Sequence, residues 1–284
     1  MKYFSFHTHS HYCDGKVPMS EVCEEAAKIG LAAIGFSSHA PVPFETSWAL
    51  KFEDGLKYRN EITKLKLEYA DRMEIYAALE ADYIPLNKSL SFDTWRKMLD
   101  LDYIIGSVHL VFNPEVPNEL WFLDGPAENY EKGVIECFGG DIRKAVTQYY
   151  NQLKEMVITQ KPDVIAHMDK VVMNNKNRFF TEEDDWYQKL VEETLLEIAK
   201  QGTIVEVNTR GIYRGKYHTF FPNERIIKRC IELKIPLTVS VDAHHSDELK
   251  SEFDNAVETI KKCGGTSVSF FNKGYWEQLP IGDV

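Results

Sequence analysis

Residues 4–15 read FSFHTHSHYCDG and lie almost at the start of the 284-residue chain. The apolar, aromatic lead-in is typical of a buried β-strand, in which residues two apart point to the same face. His7 and His9 are therefore predicted to project side by side from the end of this strand, where two neutral imidazoles form half of a metal site. Three histidines within five residues are also compatible with a solvated loop. The residues at the other strand ends of the chain distinguish the two interpretations.

Apolar runs of strand character alternate with segments of helical period along the whole chain. After the opening strand, further strands are predicted at 31–36, 73–79, 103–108, 162–166, 203–207 and 235–241. Helices are predicted at 20–28, 52–69, 91–99, 184–200, 223–233 and 248–263, with one more beginning at Asp141. Ser20 is predicted to cap the first helix. Loops are expected at 112–126 and 168–181, and a polar tail is expected after an apolar stretch at 267–271.

Every strand-like run ends on a histidine, a carboxylate or an Asn/Arg group. Alternating strands and helices indicate a parallel sheet with helical crossovers, and about 250 residues is a common size for a closed β/α barrel. In such barrels the carboxyl ends of several strands together form the site. The sequence therefore predicts one α/β barrel domain spanning residues 1–284, with the polar residues at the strand ends meeting at a single rim.

The charge balance is acidic, with 44 carboxylates against 33 lysines and arginines and a formal net charge of -11. This balance argues against a protein that grips nucleic acid mainly by neutralising phosphates. The five cysteines include no Cys-x-x-Cys pair, so neither a disulfide framework nor a thiolate zinc site is indicated. No secretory apolar segment precedes the first strand, and no run approaches the roughly 20 apolar residues of a membrane span. A reduced cytoplasm is the expected location.

Taken singly, a histidine at a strand end, such as His109 or His167, is more often a hydrogen-bonded structural residue than a metal ligand. Six histidines at equivalent places favour the ligand interpretation. Glu80 and Asp242 follow strongly apolar strands, where an unpaired buried carboxylate is costly, and each therefore needs a cation. The remaining histidines lie away from strand ends and are expected at the surface or in supporting roles: His11, His218 and His245.

The order of these motifs resembles that of the polymerase-and-histidinol-phosphatase (PHP) superfamily. The resemblance rests on His7-x-His9, Asp14-Gly15, Ser38-His39, Glu80-x-Asp82, Gly106-Ser107-Val108-His109, His167 and Asp242-x-His244. More narrowly, GFSSHAP at 35–41, IGSVH at 105–109, HMD at 167–169 and VEVNTRG at 205–211 resemble the histidinol-phosphate phosphatases of that superfamily. The similarity spans residues 3 to about 265. Ser38 departs from the pattern, because many members have Asp at this position.

The resemblance implies a distorted (β/α)7 barrel that holds three divalent metal ions. Carried over to this chain, it implies His7, His9, Glu80 and Asp242 as ligands of the first ion, Glu80, His109 and His167 of the second, and Asp14, His39 and His244 of the third. The donor chemistry agrees independently, because imidazole and carboxylate without thiolate suit zinc, manganese or iron. The resemblance further implies attack on phosphorus by a hydroxide that bridges two ions. Asp242 and His39 are the candidate proton donors to the leaving alcohol.

The activity that the resemblance implies is the hydrolysis of L-histidinol phosphate to L-histidinol and phosphate, in histidine biosynthesis. Arg178 and Arg210 are predicted to reach the phosphate, because a guanidinium matches a phosphate bidentately. Either arginine could instead pair with a carboxylate on a neighbouring loop. The imidazole and ammonium of the substrate are expected to meet acids and aromatic groups of one loop: Phe112, Glu115, Glu119, Trp121 and Asp124.

Two other functions are compatible with the sequence. A different phosphoesterase of the superfamily, such as a protein-tyrosine phosphatase or a 3'-5' exonuclease, would use similar ligands, although the acidic balance disfavours the nuclease. A non-catalytic metal-binding module would keep the barrel without the activity, which the complete ligand set disfavours. No nucleic-acid or membrane partner is expected, and the sequence does not reveal the oligomeric state.

Overall fold

The computed structural model describes residues 2–85 and 88–284. The strands, in chain order, are β1 Tyr3–Thr8, β2 Leu31–Phe36, β3 Glu74–Asp82, β4 Tyr103–Ser107, β5 Leu110–Phe112, β6 Leu120–Phe122, β7 Val164–Ile165, β8 Ile204–Asn208, β9 Leu237–Ser240, β10 Ser267–Asn272 and β11 Tyr275–Pro280. Within the described residues, seven of them form one parallel sheet in the order β1-β2-β3-β4-β7-β8-β9. The seven strands of this sheet correspond to the seven predicted strand-like runs, so the predicted α/β architecture is confirmed.

The two outer strands of this sheet approach each other and nearly close it into a barrel. Thr8 of β1 and Ala243, just after β9, form a parallel bridge. The His9 N–H donates to the Ala243 carbonyl at 2.8 Å, and the Ala243 N–H donates to the His7 carbonyl at 3.3 Å. The carboxyl ends of the parallel strands therefore meet at one rim, where sites form in β/α barrels.

Helices connect successive parallel strands, as crossover connections require. They are α1 Met19–Lys28, α2 Gly55–Glu68, α3 Phe92–Leu99, α4 Ala127–Phe138, α5 Ile142–Gln160, α6 Asp185–Gln201, α7 Arg210–Tyr213, α8 Glu224–Glu232 and α9 Phe253–Lys262. Asp141 and Asn223 are N-caps whose side chains accept a backbone N–H. The prediction for Ser20 is wrong, because α1 begins one residue earlier, after Pro18, whose ring fixes the entry into the helix. Among the described residues, no helix has both the length and the apolar character needed to cross a membrane.

The predicted loop at 112–126 instead contains part of an ordered lobe. Strands β5 and β6 pair as an antiparallel hairpin, and α4, which the sequence pattern did not predict, packs beside it. Trp121 anchors the lobe, because its buried indole N–H donates to the Tyr130 carbonyl at 2.9 Å and its ring packs edge-on against that of Tyr130. Three-residue strands are too short to show alternation, so the segment resembles a loop in sequence.

The predicted apolar stretch at 267–271 lies in β10, and β11, which pairs with β10 as a second antiparallel hairpin, replaces the predicted polar tail. The ring centroid of Phe271 lies 4.8 Å from that of Tyr76 and 5.1 Å from that of Tyr103, and Trp276 lies 5.5 Å from Phe6. Tyr76 and Tyr103 lie near the beginnings of β3 and β4. The hairpin therefore covers the amino-terminal end of the barrel, opposite the rim that carries the predicted ligands.

Candidate metal centre

The first strand delivers His7 and His9 to the rim of the barrel. Both side chains are buried, with exposed fractions of 0% and 1%, which rules out the solvated-loop interpretation. His7 Nε2 lies 3.2 Å from Glu80 Oε2, and His9 Nε2 lies 3.3 Å from Asp242 Oδ1. Residues from the first, third and last barrel strands thus converge at one place.

A second group, formed by Asp14, His39 and His244, lies directly beside the first. Asp14 Oδ1 is 3.1 Å from His244 Nε2 and 3.7 Å from His39 Nε2. The same oxygen is 3.8 Å from His9 Nδ1. The two groups are therefore contiguous through His9.

Glu80 lies among five histidines, and its side chain is almost completely buried. Its Oε1 atom is 3.1 Å from His167 Nε2 and 3.6 Å from His109 Nε2. Its Oε2 atom is 3.0 Å from His39 Nδ1. The structure thus brings Glu80 together with both His109 and His167, and it adds His39, which the sequence grouped only with Asp14 and His244.

The donor set fits divalent cations. Three overlapping groups have ligand atoms within 4.8 Å of one another: His7, His9 and Asp242; His9, Asp14, His39 and His244; and His39, Glu80 and His109. Four of these side chains have a buried atom without a hydrogen-bond partner: His7 Nε2, His9 Nε2, His39 Nδ1 and Asp14 Oδ1. A buried polar atom without a partner is costly, and coordination to a cation removes that cost.

Histidines and acids perturb each other strongly in this centre. Burial alone would raise the pKa of Glu80, but the imidazoles of His39, His7 and His109 hold it well below its usual range. Burial lowers the pKa of His109, but Asp82 and Glu80 raise it to about 9. Because an imidazole must be neutral to bind a metal, a cation coordinated by His109 would displace a proton from the ring.

Two of the predicted ligands have strained backbones. Asp242 has a φ of 52° and His167 a φ of 23°, a region in which residues other than glycine are uncommon. Hydrogen bonds hold both residues, because the His167 N–H donates to Glu206 Oε1 at 2.9 Å and the Asn208 amide donates to Asp242 Oδ2 at 3.1 Å. Such strain concentrates at functional sites, where the surrounding structure maintains it.

A cavity of about 400 Å³ opens over the centre. In addition to the predicted ligands, its wall contains aromatic, basic and polar side chains: Trp48, Phe122, Asp124, Asn129, Lys170, Arg210 and Lys216. A larger surface groove of about 520 Å³ lies between α6 and α8, but none of the predicted ligands lines it. The smaller cavity is therefore the candidate binding site.

Comparison with protein families agrees with this geometry. Residues 5–210, well over half of the chain, match the family described as the PHP domain. The chain belongs to the PHP domain family. The matched segment contains most of the predicted ligands of the centre, while Asp242 and His244 lie beyond it.

Relatives of this PHP protein align over most of its length. The histidinol-phosphatase of Bacillus subtilis is 25% identical over 268 residues, which cover 89% of this chain and 97% of the relative. A candidate histidinol-phosphatase of Deinococcus radiodurans is 28% identical over 252 residues, which cover 88% of this chain and 89% of the relative. These alignments extend the similarity beyond the matched PHP segment.

Two solved structures share the fold of this PHP protein. A candidate histidinol phosphatase from Listeria monocytogenes has a TM-score of 0.77 and 19% identity, covering 89% of this chain and 99% of its own. The histidinol phosphate phosphatase of Lactococcus lactis, complexed with zinc, L-histidinol and phosphate, has a TM-score of 0.66 and 20% identity, covering 97% of this chain and 99% of its own. The distorted PHP barrel predicted from sequence is thereby confirmed.

Only one of the two predicted phosphate-binding arginines lines the cavity over the candidate metal centre. Arg210 Nη1 donates to the Asp242 carbonyl at 2.8 Å and lies 3.3 Å from Glu248 Oε2. Arg178 lies outside the cavity, with its Nη1 atom 3.4 Å from Glu131 Oε2 on α4. For Arg178, the structure therefore favours the ion-pair alternative.

Of the five residues predicted to meet the imidazole and ammonium of the substrate, only Asp124 lines the cavity. Phe112 and Trp121 are buried within the lobe, and Glu115 pairs with Lys144. Strand alternation explains the difference, because Trp121 points into the lobe and its neighbour Phe122 points outward to the cavity. The aromatic surface consists of Phe122 and Trp48 instead.

Two acids that had no predicted role orient the histidines of the PHP centre. Glu206 Oε2 lies 2.8 Å from His7 Nδ1, and Asp82 Oδ2 lies 3.1 Å from His109 Nδ1. A carboxylate behind a metal-binding histidine fixes the orientation and tautomer of the ring. The sequence contained one indication, because Asp82 lies two residues after Glu80 and therefore on the same face of β3.

Two of the three histidines expected outside the ligand set have partners at the surface. His11 Nε2 lies 4.0 Å from Glu61 Oε2, and His245 Nδ1 lies 2.8 Å from Asp247 Oδ1. The ring of His218 packs against the neighbouring Tyr217. None of the three belongs to the groups of potential metal ligands among the described residues.

Proposed function

We propose that the protein is a metal-dependent phosphomonoesterase that hydrolyses L-histidinol phosphate to L-histidinol and phosphate. The observation that carries the proposal is the buried cluster of imidazoles and carboxylates at the floor of a cavity with basic side chains in its wall. The relatives named histidinol-phosphatase, which align with 88% or more of this chain, support the substrate. A cavity of about 400 Å³ is also of a size that suits a small molecule.

The proposed centre holds three divalent cations, which can be zinc, manganese or iron. The first takes His7, His9, Glu80 and Asp242, the second Glu80, His109 and His167, and the third Asp14, His39 and His244. The overlapping groups of ligand atoms support this number, and the zinc in the Lactococcus lactis structure supports zinc among the three metals. When bound, the cations supply an activated water as nucleophile and neutralise charge on the phosphate group.

The side chains in the cavity wall bind and orient the substrate. Arg210 binds the phosphate near the metal centre, while Trp48 and Phe122 offer apolar faces to the imidazole. Asp124 accepts a hydrogen bond from the substrate ammonium. Burial alone would raise the pKa of Asp124, but Lys170 and His109 lower it to about 2, so the carboxylate is ionised at neutral pH.

His39 and Asp242 are the candidate donors of a proton to the leaving alcohol, and both line the cavity. Substituting either also alters a proposed metal ligand, so a loss of activity alone does not identify the donor. A leaving group of low pKa, such as p-nitrophenolate, needs little protonation. The variant that lacks the donor should therefore lose more activity toward L-histidinol phosphate than toward p-nitrophenyl phosphate.

One parallel assay tests the proposal. The purified protein, loaded with manganese or zinc, is offered L-histidinol phosphate, phosphotyrosine and single-stranded DNA. We expect phosphate release from L-histidinol phosphate with a kcat/KM far above that for p-nitrophenyl phosphate, and no comparable reaction with the other two. Preferential hydrolysis of phosphotyrosine or DNA would identify a different phosphoesterase, and inactivity toward every substrate would indicate a binding module.

A further inference from the structure

Lys170 is a buried cation that faces the acidic metal centre. Among residues 2–85 and 88–284, it is the only lysine or arginine with a buried side chain. It lines the same cavity as Glu80, His109 and Asp242. Lysine is almost never fully buried without a reason, because its ammonium loses hydration.

The backbone fixes the position of Lys170 relative to the metal ligands. The Lys170 N–H donates to the carbonyl of His167 at 2.8 Å, and a turn of 3-10 helix spans Lys170–Val172. The Lys170 Nζ atom lies 6.0 Å from the centroid of the Phe221 ring. The backbone of Lys170 is thus fixed three residues after a predicted ligand, and its side chain lines the cavity over the centre.

The direct partner of the ammonium is Asp124, at a distance of 3.4 Å between Nζ and Oδ2. The loop that carries Asp124 is itself tied down, because the Leu123 N–H donates to the His109 carbonyl at 3.0 Å and the Asn174 amide donates to the Leu123 carbonyl at 2.7 Å. An ammonium has three N–H donors. One carboxylate at this distance leaves donors that can bind an anion in the cavity.

Arg210, a second basic residue in the cavity wall, uses its Nη1 group on protein partners. Its Nη1 atom lies within hydrogen-bonding distance of the Asp242 carbonyl, the Tyr213 hydroxyl and Glu248 Oε2, at 2.8, 3.1 and 3.3 Å. Glu248 also balances its charge. A phosphate monoester carries up to two negative charges, so the free donors of Lys170 can add to those that Arg210 keeps available.

We propose that Lys170 binds the phosphate group of the substrate and that Asp124 holds its ammonium over the metal centre. This inference rests on the proposed function only in requiring that a phosphate monoester occupies the cavity. The competing explanation is that the Lys170–Asp124 pair merely ties the lobe to the barrel. The two explanations differ in what happens when the carboxylate, rather than the ammonium, is removed.

The test measures competitive inhibition by inorganic phosphate during turnover of p-nitrophenyl phosphate, with the metal-loaded protein. For Lys170→Met, we expect the inhibition constant of phosphate to rise roughly 10- to 100-fold, because a charge-assisted hydrogen bond is lost. For Asp124→Asn, we expect the inhibition constant to stay the same or fall, because the ammonium loses its competing anion. Lys170→Arg keeps the charge and should recover part of the phosphate affinity that Lys170→Met loses, because a guanidinium also binds phosphate.

A merely structural pair predicts the same direction of change for Lys170→Met and Asp124→Asn, since both break it, and that result would overturn the proposal. An unchanged inhibition constant in Lys170→Met would also overturn it. Lys144→Met, at the surface ion pair with Glu115, is the matched control and should not alter phosphate inhibition. Metal content is measured in every variant, so that a loss of cations is not mistaken for a loss of phosphate binding.

Because inorganic phosphate and p-nitrophenyl phosphate are the probes, the result does not depend on L-histidinol phosphate being the natural substrate. If the protein proves specific for another monoester, the opposite responses of the two variants still support the role of Lys170. If L-histidinol phosphate is the substrate and both variants bind phosphate normally, the inference about Lys170 fails while the proposed function stands.

Discussion

The two ends of the barrel bury different kinds of side chain, apolar at one end and ionisable at the other. At the amino-terminal end, Phe6, Tyr76 and Tyr103 pack against the aromatic residues of the β10–β11 hairpin. The Tyr103 hydroxyl donates to the Phe6 carbonyl at 2.6 Å, and a Cβ at Gly35 would collide with that hydroxyl. This end is filled by apolar contacts that stabilise the fold without any ligand.

At the carboxyl-terminal end, the buried groups are imidazoles and carboxylates. One ring nitrogen of each of His7, His9 and His39 has no hydrogen-bond partner, and the pKa values of Glu80 and Asp242 are held well below their usual range by neighbouring imidazoles. Such an arrangement costs free energy until cations occupy it. Apolar packing at the amino-terminal end therefore supplies stability that allows the carboxyl-terminal end to keep costly polar groups buried. It follows that substitutions at the two ends should have separable effects.

The largest expected effect is that of Glu80→Gln. The change keeps the shape of the side chain but removes a charge that contacts five histidines at the proposed centre. We expect loss of bound metal and a fall in kcat/KM of at least about 10³-fold, since each metal contributes several kcal/mol to transition-state stabilisation. Elemental analysis and steady-state kinetics measure both quantities. A variant with a full complement of metal and normal turnover would contradict the proposed ligand set.

The second substitution, Phe271→Ala, affects the opposite end. Phe271 is 2% exposed and contacts the rings of Tyr76, Tyr103 and Trp276. We expect the free energy of unfolding, measured by urea denaturation, to fall by about 3–5 kcal/mol. The folded fraction should bind metal and substrate normally. Phe52→Ala, at a 58% exposed side chain, is the control and should change stability by about 0.5 kcal/mol or less. Equal loss of metal in folded Phe271→Ala protein would show that the two ends are coupled.

The sequence predicted the two ends unequally. Most predicted ligands at the carboxyl-terminal end lie in the last residues of a buried strand or shortly after it, so the strand pattern alone brings His39, Glu80 and His167 to one rim. The hairpin at the other end was missed because β11 is largely exposed and its residues read as a tail. Lys170 and Trp48 were missed for another reason. They lie on connections whose path back over the barrel depends on tertiary packing rather than on local periodicity.

Asp82→Asn distinguishes the proposed metal ligands from the residues that orient them. Asp82 accepts the His109 backbone N–H at 2.7 Å and lies beside the Nδ1 atom of the same ring. We expect Asp82→Asn to weaken metal binding about 10- to 100-fold, because the ring loses its orienting carboxylate. A titration of activity against metal concentration measures this change. Excess metal should restore turnover in Asp82→Asn but not in Glu80→Gln. If excess metal restored both variants, or neither, the different roles assigned to Asp82 and Glu80 would be contradicted.

The smallest expected effect is that of Arg178→Ala, compared with Arg210→Ala. Both arginines were predicted from sequence to bind phosphate, yet Arg178 is paired with Glu131 outside the cavity, whereas Arg210 lies in the cavity wall. An exposed ion pair contributes about 0–1 kcal/mol, so we expect the KM of Arg178→Ala for L-histidinol phosphate to change by about twofold or less. Arg210→Ala should raise KM roughly 10- to 100-fold, since it removes charge-assisted hydrogen bonds to the phosphate. Similar increases in both variants would mean that Arg178 leaves Glu131 and reaches the phosphate when substrate binds, and the site would then extend beyond the rim of the barrel.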